Sequence, residues 1–292
     1  MTYATSANVS IYYETFGEAT SPALLMVNGL GAQCINFDVE LCQLFVDRGF
    51  FVIRFDNRDV GLSTQFDEFT PSFIDVVTAL REGRVPSVPY RLSDMANDAV
   101  TVLDALHIER AHVMGTSLGG MIVQQMAIDH PNRLLSMTSI MSTTGDTDVG
   151  HPSPAVAVLF YGARSTERAT VIANRVELDR LCGSPDAFDA ARVARRSATA
   201  FDRSFSPLGV ARQLCAVTAS GSRSTALRNV TVPTLVLHGD HDGLINISGG
   251  IRTAECIPGA RFVALEGMGH DFPPAYWEQL TTLISTHAFA SV

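Results

Sequence analysis

The chain has 292 residues, 46% of them hydrophobic and 17% charged, enough to bury one large α/β core or a core carrying an insertion. Its net charge of −9 argues against nucleic acid or an anionic membrane as a partner and is accounted for by solubility alone. All 21 basic residues are arginine, which excludes a lysine Schiff base, pyridoxal-phosphate catalysis and a P-loop.

Residues 1–10 lack a basic stretch followed by an apolar run, so no signal peptide is expected. Residues 9–13 alternate like an edge strand, whereas 23–27 and 50–55 are continuous apolar runs, as in strands covered on both faces. Between those runs Phe37, Leu41, Leu44 and Phe45 have helical spacing. Leu92, Met95, Ala99, Val102, Leu103 and Leu106 form an amphipathic stripe leading into a short buried strand at 111–114. A helix over 118–130 is stopped by Pro131 and followed by a strand at 134–141. Two more strands, at 234–238 and 261–265, flank a helix around 247–256, and a last helix covers 276–287. The rhythm predicts an α/β fold: a mostly parallel central sheet of about eight strands with flanking helices. No apolar stretch reaches membrane-spanning length. Cys34, Cys42, Cys182, Cys215 and Cys256 are scattered without a C-x-x-C pair, the usage of reduced thiols in a cytoplasmic protein.

Between about residues 143 and 229 the rhythm breaks. Helical patterns at 166–181 and 186–200 occur among Pro152, Pro154, Pro185 and Pro207, with no convincing core strand. An insert of this length favours a helical cap over an irregular crossover. The expected organisation is therefore a core of residues 1–143 and 229–292 with a cap insertion of 144–228. Val156, Val158, Leu159, Phe160 and Tyr161 offer an apolar lining for a site beneath it, and serve equally well as the cap's own core.

The chemistry centres on Gly115-Thr116-Ser117-Leu118-Gly119, which lies between a predicted strand and a predicted helix and occurs once. A serine at such a turn is strained, and a β-carbon on either glycine would meet the neighbouring backbone. Serine needs a base to take its proton and a third group to orient that base. Just past the strand at 234–238 comes Gly239-Asp240-His241-Asp242, and just past the strand at 261–265 comes Glu266-Gly267-Met268-Gly269-His270. Ser117, Asp242 and His270 thus fall at carboxyl ends of strands, where open α/β sheets gather reactive groups. Asp240 competes with Asp242 for the acid role, and Asp146 and Asp148 stand third. His238, Asp240, His241 and Asp242 could instead suggest a metal site, but consecutive residues of one turn rarely converge on one ion, so no metal is expected.

With these motifs in their order, the chain resembles the α/β-hydrolase family over almost its full length. Asp56-Asn57-Arg58-Asp59-Val60-Gly61-Leu62-Ser63 resembles that family's D-x-R-G-x-G-x-S loop, with Asp59 where glycine is usual, and is read as a structural network. The family spacing favours Asp242 over Asp240. The resemblance also implies an oxyanion hole from two backbone N–H groups, those of Leu118 and of Leu30 in Asn28-Gly29-Leu30-Gly31, where Asn28 replaces the usual histidine. Serine at 117 disfavours dehalogenase and epoxide-hydrolase chemistry, which uses aspartate there. The runs around Asp56 and Ser117 are similar to actinobacterial esterase/lipase-like hydrolases and to anthracycline methylesterases. The implied activity is cofactor-free hydrolysis of a small-molecule carboxylic ester through an acyl-enzyme. Carbon–carbon bond hydrolysis, perhydrolysis and acyl transfer share the same residues, and a non-catalytic binding protein is the alternative of another class. The expected site is thus Ser117, Asp242 and His270, with Leu30 and Leu118 at the oxyanion and Val156, Leu159, Phe160 and Tyr161 toward the substrate.

Overall fold

The computed structural model describes residues 1–162 and 165–291; Ala163 and Arg164, within the expected cap, and Val292 lie outside the described residues. Eight strands form one sheet: β1 (Thr2–Ser6), β2 (Val9–Phe16), β3 (Ala23–Val27), β4 (Phe51–Phe55), β5 (Ala111–Thr116), β6 (Leu134–Ile140), β7 (Thr234–Gly239) and β8 (Arg261–Leu265). Their order is β1-β2-β4-β3-β5-β6-β7-β8. β1 and β2 pair antiparallel, as do β2 and β4, and every later pairing is parallel.

The continuous apolar runs are explained by the two-residue period of a strand. In β3, Leu25 and Val27 pack into one hydrophobic cluster while Leu24 and Met26 pack into another on the opposite face. The first cluster is closed by α3 (Leu92–Ala105) and α4 (Leu118–Asp129), the second by α1 (Val39–Val46) and α11 (Pro274–Phe289). Both faces are dry, so β3, β4, β5 and β7 are buried along their whole length. α2 (Phe73–Arg81) and α10 (Ser248–Cys256) complete the helices outside the 144–228 segment among the described residues.

That segment forms α5 (Pro154–Phe160), α6 (Arg168–Cys182), α7 (Ala190–Arg203), α8 (Pro207–Ser220) and the single turn α9 (Ser224–Leu227), with no strand among its described residues. Three of its helices, α6, α7 and α8, start on side-chain caps. Glu167 accepts from the amides of Ala169 and Thr170, Asp189 from Arg192 and Ser206 from Gly209. Local rules also explain where observed boundaries differ from the sequence patterns. Phe37 is buried just ahead of α1, not within it, and Pro185 isolates a short turn so that α7 begins only after Asp189. No described helix is long and apolar enough to cross a membrane.

Candidate active site

Ser117 sits between β5 and α4 with φ 55° and ψ −118°, a strained conformation for a residue with a β-carbon. The flanking positions 115 and 119 tolerate nothing larger than glycine: a β-carbon on Gly115 would lie 2.1 Å from the Gly119 carbonyl oxygen, and one on Gly119 would lie 2.0 Å from that of Val27. The turn is tied down by the Ser117 amide donating to Ile140 O at 2.9 Å and by Ser142 Oγ donating to Ser117 O at 2.8 Å.

His270 and Asp242 reach Ser117 from the loops after β8 and β7. His270 Nε2 is 2.9 Å from Ser117 Oγ, and His270 Nδ1 is 2.7 Å from Asp242 Oδ2. A carboxylate only accepts, so Nδ1 carries the proton and Nε2 is free to accept from the serine hydroxyl. Asp242 is buried, and its Oδ1 accepts from the amides of Leu244 and Ile245 at 2.9 and 2.8 Å. Burial alone would push its carboxyl upward, but the charge of His270 and hydrogen bonds from His238 and His270 bring its pKa down to about 2. The acid is therefore ionised at every pH where the imidazole can act as a base.

The competing acids are engaged elsewhere. Asp240 is exposed and accepts from His241 Nδ1 and the Gly267 amide, each at 2.8 Å. Asp146 and Asp148 are paired with Arg252 at 2.8 and 3.0 Å. His238 and His241 diverge: the first is fully buried against Ile245 O, the second is exposed.

The loop after β3 lies against Ser117, since a β-carbon on Gly29 would stand 3.2 Å from that of the serine. Within it, the Ala32 amide donates to Gly29 O and the Gly31 amide to Gln213 Oε1, whereas the amides of Leu30 and Leu118 have no hydrogen-bond partner among the described residues. Asn28 is fully buried. Its carbonyl accepts from Asn57 Nδ2 at 3.0 Å, and its own Nδ2 has no partner.

A cavity of about 290 Å³ adjoins the site at Leu30 and Gly31 and is roofed by Leu159, Phe160, Leu178 and Phe201. Ser117 and His270 are not among its lining residues. Of the apolar side chains expected to face the substrate, Leu159 and Phe160 do line it. Val156 is fully buried a turn earlier in α5, and Tyr161 is 55% exposed and packs against Phe73. Val156, Leu159 and Phe160 share one face of α5 by their i, i+3, i+4 spacing, with Val156 a turn deeper and away from the cavity, whereas Tyr161, at the end of the helix, is turned off that face.

Four contributing residues lacked a sequence signal. Cys182 O accepts from the His270 amide at 2.6 Å, and Ser184 Oγ accepts from the Gly269 amide at 3.0 Å, so the end of α6 holds the histidine loop. His238 reads as a strand residue yet touches Asp242. Gln213 is separated from Gly31 by 182 residues. Of these, only His238 and Gln213, polar residues in an otherwise apolar strand and helix, could have been singled out by inspection.

A family model described as the alpha/beta hydrolase fold matches residues 22–273. The chain is 30% identical to the rhodomycin D methylesterase DnrP of Streptomyces peucetius and 29% identical to its counterpart DauP of Streptomyces sp. (strain C5), in each case covering 98% of this chain and 97% of the relative. Among solved structures, the meta-cleavage product hydrolase of Pseudomonas fluorescens IP01 superposes with a TM-score of 0.78 over 100% of this chain and 98% of its own, at 18% identity, a likeness of fold.

Proposed function

The chain belongs to the α/β hydrolase fold family, and from that premise we propose that it is a serine hydrolase cleaving a small-molecule carboxylic ester through an acyl-enzyme. The observation that carries this reading is the unbroken hydrogen-bond chain Ser117–His270–Asp242, at 2.9 and 2.7 Å. The near-full-length similarity to two methylesterases supports an ester as the substrate class.

In this mechanism His270 takes the proton of Ser117 as the hydroxyl oxygen attacks the ester carbonyl. The negative charge that develops on the carbonyl oxygen is received by the amides of Leu30 and Leu118. The imidazolium then gives its proton to the departing alcohol. Water, deprotonated by the same imidazole, attacks the acyl-enzyme, and the imidazolium returns that proton to Ser117 Oγ as the carboxylic acid leaves. Asp242 holds the imidazole tautomer throughout and stabilises its charged form. The segment 144–228 acts as a cap, and its cavity accommodates the non-reacting part of the ester.

The test is turnover of nitrophenyl and methyl esters of graded acyl size, with a fluorophosphonate probe mapped by mass spectrometry. Ester turnover with one phosphonyl adduct on Ser117 is the expected result. Cleavage of a carbon–carbon bond in a vinylogous diketone, with no ester turned over, would replace the ester reading. Absence of both turnover and adduct would leave a binding protein.

A further inference from the structure

We infer that Gln213 on α8 is a positioning residue for the oxyanion hole, holding the loop from which the Leu30 amide projects; the inference rests on the proposed use of that amide. Gln213 is fully buried. Its Oε1 accepts from the Gly31 amide at 2.9 Å and its Nε2 donates to Arg58 O at 2.8 Å. An amide N–H can only donate and a carbonyl can only accept, so one side chain must present an acceptor to Gly31 and a donor to Arg58. A primary amide does both. Glutamate would satisfy Gly31 alone, and methionine, of nearly the same size, would satisfy neither.

The consequence falls on the neighbouring residue. With the Gly31 amide fixed by Gln213 and the Ala32 amide fixed by Gly29 O, the peptide planes after Leu30 are no longer free to turn. The Leu30 amide, just upstream, keeps its direction without a partner of its own. A donor in the oxyanion hole is useful only while it stays aimed at the place where charge will appear.

α8 can serve as the reference because its own register is pinned. Arg212, the residue before Gln213, forms a forked pair with Asp59, Nε to Oδ2 at 2.9 Å and Nη2 to Oδ1 at 2.7 Å, with both side chains fully buried. Asp59 also accepts from Tyr90 Oη at 2.6 Å and from the Phe66 amide at 2.8 Å. One turn earlier, a β-carbon on Gly209 would stand 2.1 Å from the Asp59 carbonyl oxygen, so the helix lies directly on that loop. The aspartate that replaces the family's usual glycine thus anchors α8, and Gln213 transmits the position of α8 to the oxyanion loop. The segment between β6 and β7 therefore bears on the chemical step as well as on what enters.

The test compares wild type with Gln213→Met, Gln213→Asn and Gln213→Glu. A short nitrophenyl ester serves as substrate, and an alkyl boronic acid as an inhibitor whose tetrahedral adduct on Ser117 places an oxygen in the oxyanion hole. For Met and Asn, kcat falls about 10- to 100-fold while KM stays within about threefold, and boronate Kd rises by the same factor as kcat falls. Gln213→Glu keeps the acceptor for Gly31 but sets a carboxylate against Arg58 O close to the developing oxyanion, so its kcat and boronate affinity fall at least as far as in Gln213→Met. Should Gln213→Met fail to fold, Gln213→Asn carries the comparison, with melting temperature measured alongside. Unchanged kcat in both variants, or a loss of kcat with unchanged boronate affinity, overturns the inference while leaving the ester reading in place. A wild-type protein without turnover, or whose turnover survives Ser117→Ala, removes the ester reading and the inference together.

Discussion

His238 Nε2 lies 3.3 Å from Asp242 Oδ2, the same oxygen that accepts from His270 Nδ1 at 2.7 Å. The His238 proton is shared, since Nε2 also donates to Ile245 O at 2.7 Å, and Nδ1 is buried with no partner. Two imidazoles thus draw on one carboxylate oxygen, and only His270 reaches Ser117. His238→Leu removes one donor to that oxygen without touching Ser117 or the His270 contact, so kcat/KM should fall far less than in Asp242→Asn; an equal loss contradicts this. Leaving the Ile245 carbonyl unpaired should also cost about 1–3 kcal/mol of stability, read from denaturant unfolding.

Ser117→Ala should lower kcat by roughly 10⁴- to 10⁶-fold without changing the circular dichroism spectrum. Asp242→Asn should cost on the order of 10⁴-fold, because an asparagine oriented by the Leu244 and Ile245 amides presents its NH₂ to His270 and imposes the wrong tautomer. Asp240→Asn should change little, since that carboxylate contacts His241 and Gly267 and not His270. The three variants assayed on one nitrophenyl ester settle the order; a greater loss for Asp240→Asn would reverse the assignment.

The sheet was legible because a strand buried on both faces leaves an unbroken apolar run, as at residues 23–27. β1 left no such trace: of its five residues only Ala4 is buried. The candidate nucleophile, base and acid were legible because each follows a strand directly, so short motifs report their place. What supports them was not. Gln213 and Arg212 lie in a helix whose apolar pattern is interrupted by the very side chains that reach the loop at Arg58 and Asp59. Asp59 itself read only as a departure from a family pattern. In the structure its φ is 68°, a value that favours glycine, and the buried partner Arg212 is what holds aspartate there.

The cavity separates side chains that sequence pattern grouped together. Leu159→Ala and Phe160→Ala should change the ranking of esters by acyl size, with shifts up to roughly 10- to 200-fold in relative kcat/KM. Val156→Ala should leave the ranking unchanged and instead lower stability by about 2 kcal/mol, because its side chain is buried in the segment and does not reach the cavity. Equal slowing of all esters by the Leu159 and Phe160 variants would assign those residues to the structural core.

His112, at the start of β5, is 1% exposed, with Nδ1 2.8 Å from Ser136 Oγ and Nε2 without a partner. Burial, reinforced by His287 and Arg110, lowers its pKa to about 4. A base with a depressed folded-state pKa is protonated more readily in the unfolded chain. Stability should therefore be complete above about pH 6.5 and fall as pH drops toward 4, by at most about 3 kcal/mol from this group. His112→Gln should flatten that part of the stability–pH curve measured by urea unfolding. An unchanged slope would mean that other groups carry the acid sensitivity.

The pair Asp59–Arg212 is fully buried on both sides, so each charge depends on the other. Asp67 adds a second carboxylate at 3.1 Å from Arg212, but its side chain is 78% exposed and its contribution is screened by water. Arg212→Met leaves Asp59 with its donors from Tyr90 and Phe66 but without a counter-charge, at a cost of about 3–5 kcal/mol. Asp59→Gly strands the guanidinium in the same way, partly offset because glycine adopts the positive φ at this position without strain. The double variant Asp59→Gly/Arg212→Met removes both charges at once, and methionine fills most of the arginine's volume. Its stability should return to within about 1–2 kcal/mol of wild type, since replacing a buried ion pair is far cheaper than halving it. Chemical denaturation of the four proteins gives the coupling energy directly. Additive losses in the double variant would show that the two side chains stabilise the fold through separate contacts and that the pair does not act as a unit.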